Sequence, residues 1–393
     1  MPTQKIAVLA LFAFLVLSQL PISSTAGADE PLAPKKRRIL YNCDGCSVFM
    51  YKKGVYEATE MTIDDLRNVV DELTFPESQV DTFLMCLNAQ VTFYPSKVGS
   101  MIGARNTPEQ RKTWPKEHIL WIETLKKMYA AGVDPYAEML AEAKRRGREA
   151  LITIRMNDTH QGDETSFLRS QFWVDHPEMR LRENALDFSH QAVRDHTFEI
   201  VREACQRYDC DGLEMDFVRH PYYFFRLSKV DKVPLINELV ERIRKMSDEL
   251  GRKRGKKLVV AARVPTSYEA CLKMGCDPVI WAQKGWIDFL TVSEEFSVRL
   301  DVPLRPWKEK ISSIPIYGSI EQVHADTGAF VTASEYRRAA RHLWNEGADG
   351  MYLFNFIMSR EHHGRSKEPP FEVLTEIGDP ATLERALKAT EKR

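Results

Sequence analysis

From Arg38 onward one unit recurs, a short β-branched or aliphatic run followed by a longer amphipathic stretch. The runs are RILYNCDG, VDTFLMCLN, ALITIRMND, DGLEMDFVR, KLVVAARVP, IDFLTVSEE, IPIYGSIE and GMYLFNF, eight in all. Between them lie helix-like stretches such as TIDDLRNVVDEL, DPYAEMLAEAKRRG and TASEYRRAARHLWNEG. Gly147, Gly251, Gly255 and Gly347 stand behind helices, and Thr62, Asp134 and Ser334 ahead of them. Eight such units, with no second block of different composition, predict an α/β fold: a single (β/α)8 TIM barrel over residues 38–378, with a C-terminal helix at 379–393. A doubly wound open sheet would need a glycine-rich phosphate turn after its first strand, and NCDGCSVFMYKKG lacks that spacing.

Two connections are long for this fold, residues 88–133 after the second strand and 158–188 after the third. Loops of that length in a compact domain usually carry function. Ahead of the barrel, Lys5, the apolar stretch Ile6–Leu17 and Ala26-Gly27-Ala28 follow the three-part layout of a secretory signal over residues 1–28. The apolar run is too short to span a bilayer comfortably. A secreted or periplasmic chain cleaved near Ala28, with no stable membrane span and a linker at 29–37, is therefore expected. The basic run Lys35 to Arg38 reads as a solvated linker, and a net charge of -1 with 28% charged residues gives no footprint for nucleic acid. Seven cysteines, an odd number thinly spread, do not form a disulfide framework. Cys43 with Cys46 lacks the second pair that a zinc site of about four ligands requires, and Cys205 with Cys210 and Cys271 with Cys276 suit local bridges or buried thiols equally.

In this fold the active site lies at the carboxyl ends of the strands. Alternate strand residues face the interior, so Leu213, Met215 and Phe217 suit the helix-facing side, and Glu214 and Asp216 point inward. The same parity selects Asn42, Asp44, Asn88, Arg155, Asn157, Arg263, Tyr317, Ser319, Glu321 and Asn355 as inward, mouth-side candidates. With Glu295 all eight strands contribute.

Carboxylates, Arg, Asn and aromatics over one cavity suit glycosidic bond cleavage, which employs one protonated and one ionised carboxyl group. Asp216, beside Arg219 and His220, suits the ionised role. Glu295, or Glu294 if the strand end bulges, suits the proton donor, with Glu321 as a third candidate. Glu214 lies deeper and suits a buried support for Asp216, Arg155 or Arg263. A structural ion pair of Asp216 with Arg219 or Arg263 is the alternative to catalysis. Trp114, Trp121 and Trp173 could line subsites, as could Tyr222, Tyr223 and Phe224.

YDCDGLEMDFVRHP, preceded by ALDFSHQAVRDHTFEIVREAC, resembles the motif block of the glycosyl-hydrolase-like 10 group of secreted bacterial barrels. The resemblance implies a (β/α)8 barrel and a carbohydrate substrate. The block is also similar to the fourth-strand D-G-x-D-x-D-x-E signature of family 18 chitinases, but the final Glu falls on Val218, which removes that acid. The expectation is a secreted glycoside hydrolase cleaving O-glycosidic bonds of a poly- or oligosaccharide. The alternative is a barrel that binds carbohydrate without cleaving it. No cofactor is expected, and no metal: the first strand has no His-x-His pair, and His160, His220 and His324 are scattered over three units.

Overall fold

The computed structural model describes residues 37–160, 163–182, 184–226, 228–294, 298–324, 326–361 and 365–391. The signal expected at residues 1–28 and most of the linker expected at 29–37 lie outside the described residues. The eight strands are β1 (Ile39–Cys43), β2 (Val80–Cys86), β3 (Glu149–Arg155), β4 (Gly212–Asp216), β5 (Val259–Pro265), β6 (Phe289–Ser293), β7 (Ile316–Ile320) and β8 (Met351–Phe354). Each pairs in parallel with the next, and β8 returns to β1, closing the (β/α)8 barrel.

Strand parity divides the core in two. Leu213, Met215 and Phe217 join the large cluster between sheet and helices. Leu40, Leu84, Leu151, Ala261, Phe289, Tyr317, Tyr352 and Phe354 fill the interior. Glycine at 212 permits the β4–β5 contact, because a Cβ there would sit 2.2 Å from the Val259 carbonyl oxygen. The helices follow their caps. Thr62 closes a capping box with Asp65 on helix Ile63–Leu73, which buries Leu66, Val69, Val70 and Leu73. Helix Lys232–Arg254 ends on Gly255 in the left-handed region at φ 66°. Before helix Ala333–Asn345 the cap is Thr332, with Glu335 completing the box, rather than Ser334. Helix Pro380–Glu391 closes the chain. Among the described residues no helix is long and apolar enough to cross a membrane.

Several readings of the sequence are corrected. The connection after β2 contains a 15-residue helix, Lys116–Ala130, that buries Trp121, Ile122 and Leu125. Trp121, Trp114 and Trp173 are packing residues: Trp121 stands edge-on to Phe93, Trp114 lies against Phe167, and Arg180 covers the face of Trp173. The basic run is not wholly solvated. Arg38 makes a two-pronged bond to Asp81, and Arg37 reaches under the barrel, donating to Glu149 at 2.6 and 2.8 Å with its guanidinium over the Phe289 ring. Thr82 donates to the same carboxylate, so the floor of the barrel is closed by a buried ion pair. All seven cysteines are free thiols, Cys46 partly buried and the others buried.

Candidate active site

Register sets which side chains meet at the mouth. Arg155 of β3 pairs with Asp216 of β4, and Asp216 with Arg263 of β5, so two guanidinium-bearing residues flank one carboxylate at one height. Asp216 Oδ1 accepts the backbone N–H groups of Val218 and Arg219 at 2.9 and 3.1 Å, and Oδ2 accepts Arg263 Nη1 at 3.2 Å. Every one of these partners is a donor, the set an ionised carboxylate requires. The other nitrogen of the fork, Arg263 Nη2, donates to Glu321 Oε1 at 2.7 Å and to Ser293 Oγ at 2.8 Å. The guanidinium lies 4.1 Å from the Phe354 ring centre. Asp216 and Arg263 are 1% exposed and Glu321 4%. Burial pushes the Glu321 carboxyl up to about 7, against the pull of Arg263 and Arg219 and with a further push from Asp216. The side-chain partner of Asp216 is thus Arg263, from the neighbouring strand. Arg219 gives Asp216 its backbone N–H, while its guanidinium stands 3.4 Å from His160 Nε2; His220 faces Asp158. Of the two arginines offered as ion-pair partners for Asp216, Arg219 and Arg263, the second makes the pair at 3.2 Å.

One layer down, Glu214 Oε1 accepts from Tyr352 OH at 2.8 Å, Asn42 Nδ2 at 3.1 Å and Thr153 Oγ1 at 3.2 Å. Burial, and then Asp216 above it, raises this carboxyl to about 7. Asn42 therefore serves Glu214 rather than the mouth. Tyr317 is likewise not at the mouth: it lies near the start of β7, edge-on to Phe289, because Ser319 and Glu321 occupy the two inward positions above it.

Loop residues complete the rim. Asn88 bonds to both the N–H and the carbonyl of Arg155, and Asn157 clamps Leu186 and Tyr222. Asp44 caps the turn that follows β1, accepting from the backbone of Cys46 and Ser47, and Ser47 Oγ also bonds Glu361. Glu361 was missed in the sequence; burial, then Asp44, pushes it up to about 7. Asn355 turns the chain out of β8 with φ 53°. Arg155 pairs with Asp158 at 3.2 Å, and Asp158 meets His160 Nδ1. Beside this rim runs a groove of about 610 Å³, walled by Val218, Tyr222, Phe224, Pro265, Ser293 and Glu294. Tyr222 is 43% exposed there, whereas Tyr223 and Phe224 turn inward. Glu294 accepts from Thr266 Oγ1 and lies 3.8 Å from Arg299. Glu295 lies outside the described residues. Ser293 belongs to both groove and mouth.

No family model and no curated protein sequence matches this chain. Among solved structures it is similar to the glycoside hydrolase domain of PgaB (BpsB) from Bordetella bronchiseptica, with a TM-score of 0.52 at 10% identity, over 88% of this chain and 99% of that one. It is also similar to the GH36 α-galactosidase AgaA of Geobacillus stearothermophilus, with a TM-score of 0.45 at 10% identity, over 90% of this chain and 42% of that one. For the Lactobacillus brevis α-galactosidase the values are 0.45 and 10%, over 88% and 40%. The chain thus spans less than half the length of these α-galactosidases. These likenesses and the closed ring of eight parallel strands agree on the fold, a (β/α)8 TIM barrel.

Proposed function

We propose that the protein is an exported glycoside hydrolase, secreted or periplasmic after cleavage near Ala28, that cleaves O-glycosidic bonds of a poly- or oligosaccharide. The observation that carries this reading is the pair of carboxyl groups on the two prongs of Arg263. Asp216, held by three donors, acts as the ionised partner, nucleophile or base. Glu321, raised to about 7, keeps a proton near neutral pH and delivers it to the leaving oxygen. Of the three donor candidates this reading favours Glu321 over Glu294; Glu295 lies outside the described residues. Tyr222 offers an exposed ring at the groove for a sugar face.

The near-complete burial of Asp216 favours a second reading, a barrel that binds carbohydrate without cleaving it. A polysaccharide panel assayed with wild type, Asp216→Asn, Glu321→Gln and Glu294→Gln separates them. Hydrolysis lost in the first two variants and kept in the third supports the proposal. Binding without turnover in every protein, wild type included, supports the second reading, and loss confined to Glu294→Gln returns the donor to the groove.

A further inference from the structure

Three side chains that the carboxylate pair does not use converge beside it. Asp158 and His160 follow β3, and His220 follows β4. One potential ligand atom from each lies within 4.8 Å of the other two. The two imidazole rings are 5.1 Å apart. Both turn Nδ1 toward the Asp158 carboxylate: His160 Nδ1 contacts Oδ1, and His220 Nδ1 stands 3.8 Å from Oδ2. His220 holds this position with a backbone φ of 59°, a conformation that a non-glycine residue adopts at a cost.

We propose that Asp158, His160 and His220 form a binding site for a divalent d-block cation, zinc by ligand type. Two imidazoles and one carboxylate are a recurrent three-residue set for zinc that leaves a fourth position open, with bonds of about 2.0–2.2 Å. Ligand atoms on such a centre stand roughly 3.3–3.5 Å apart, so the observed spread closes with small side-chain rotations. Arg155 holds Asp158 Oδ2, the oxygen that His220 Nδ1 faces, at 3.2 Å and leaves Oδ1 toward His160, the work of an outer-shell orienting residue. The Asp158 side chain is fully buried and the His160 side chain 28% exposed, so His160 is the solvent-facing side of the site.

Two guanidiniums stand close to this site, and a cation must coexist with them. Arg155 is also within the field of Asp44, and Arg219 within the fields of Asp44 and Asp216. Asp158 is therefore not their sole counter-charge. Metal on His160 Nδ1 moves the ring proton to Nε2, which ends the 3.4 Å contact with Arg219 Nη2, a separation already at the limit of a hydrogen bond.

The test uses full-length, tag-free protein, stripped with a chelator and titrated with Zn²⁺ by calorimetry, and separately loaded with Co²⁺. One equivalent of zinc bound by wild type, retained by a His362→Ala/His363→Ala variant and weakened at least 100-fold in His160→Ala and in His220→Ala, is the expected result. The Co²⁺ form should show visible d–d bands without a thiolate charge-transfer band, a readout that requires no variant to fold. No binding by wild type, undiminished binding by His160→Ala and His220→Ala, or a thiolate band, overturns the assignment. Glycosidase activity is not read, so the result is independent of the carboxylate proposal.

Discussion

Glu214 and Asp216 stand two residues apart on β4, point the same way and are equally buried, yet their surroundings differ in kind. The lower carboxyl is met by an amide and two hydroxyls drawn from β1, β3 and β8. The upper one is met by a guanidinium from β5 that carries on its other prong a second carboxyl, from the residue just after β7. Neutral donors cannot offset the cost of burying a charge, so the lower group is driven toward its protonated form. The upper layer places Asp216, bonded by three donors, beside a carboxyl that keeps its proton to about 7. Height along one strand thus separates a support from a candidate for chemistry.

The sharpest way to break this contrast is through rate. If Glu321 is the proton donor, Glu321→Gln lowers kcat about 10²–10⁴-fold and abolishes the basic limb near pH 7 in the kcat profile. A profile that keeps that limb sinks the assignment. Next comes the shared cation: Arg263→Ala leaves two buried carboxyl groups without it and should cost about 3–5 kcal/mol in urea unfolding. A smaller effect is expected below. Tyr352→Phe removes a donor from Glu214 and should cost about 1–3 kcal/mol.

The same layer predicts a pH dependence. Glu214 titrates near 7 when folded against an ordinary 4.5, so the folded state holds its proton longer than the unfolded chain. Its contribution is fully present below about 4.5 and is lost as pH rises toward about 7. Unfolding measured at pH 5 and pH 7 should show Glu214→Gln losing one proton's worth of that slope; an unchanged slope would contradict the raised value. The smallest effect belongs to the groove. Tyr222→Ala should leave stability within about 0.5 kcal/mol while weakening saccharide binding, measured by calorimetry.

Much of this was legible beforehand because strands have a period of two. That period placed Glu214 and Asp216 inward and Leu213, Met215 and Phe217 outward without knowledge of the barrel. Lateral partners were harder, since they depend on register between strands. Arg219 is close to Asp216 in sequence, but Arg263, 47 residues on, bonds it. His160 and His220 looked scattered because they belong to different units, yet β3 and β4 are neighbours, and Arg155 and Asp216 stand level. Counting from those two residues would have brought the imidazoles together, whereas His324 pairs with Glu335 elsewhere. Helix Lys116–Ala130 was hidden by its aromatic, charged composition, although Ile119, Ile122 and Leu125 repeat at helical spacing.

Arg37 precedes the first strand and corks the lower opening. If the chain is processed as proposed, maturation and folding meet at this one side chain. On the export proposed above, trimming up to residue 36 would leave the cork in place, whereas removal of one more residue would strip Glu149 of the Arg37 guanidinium inside the wall.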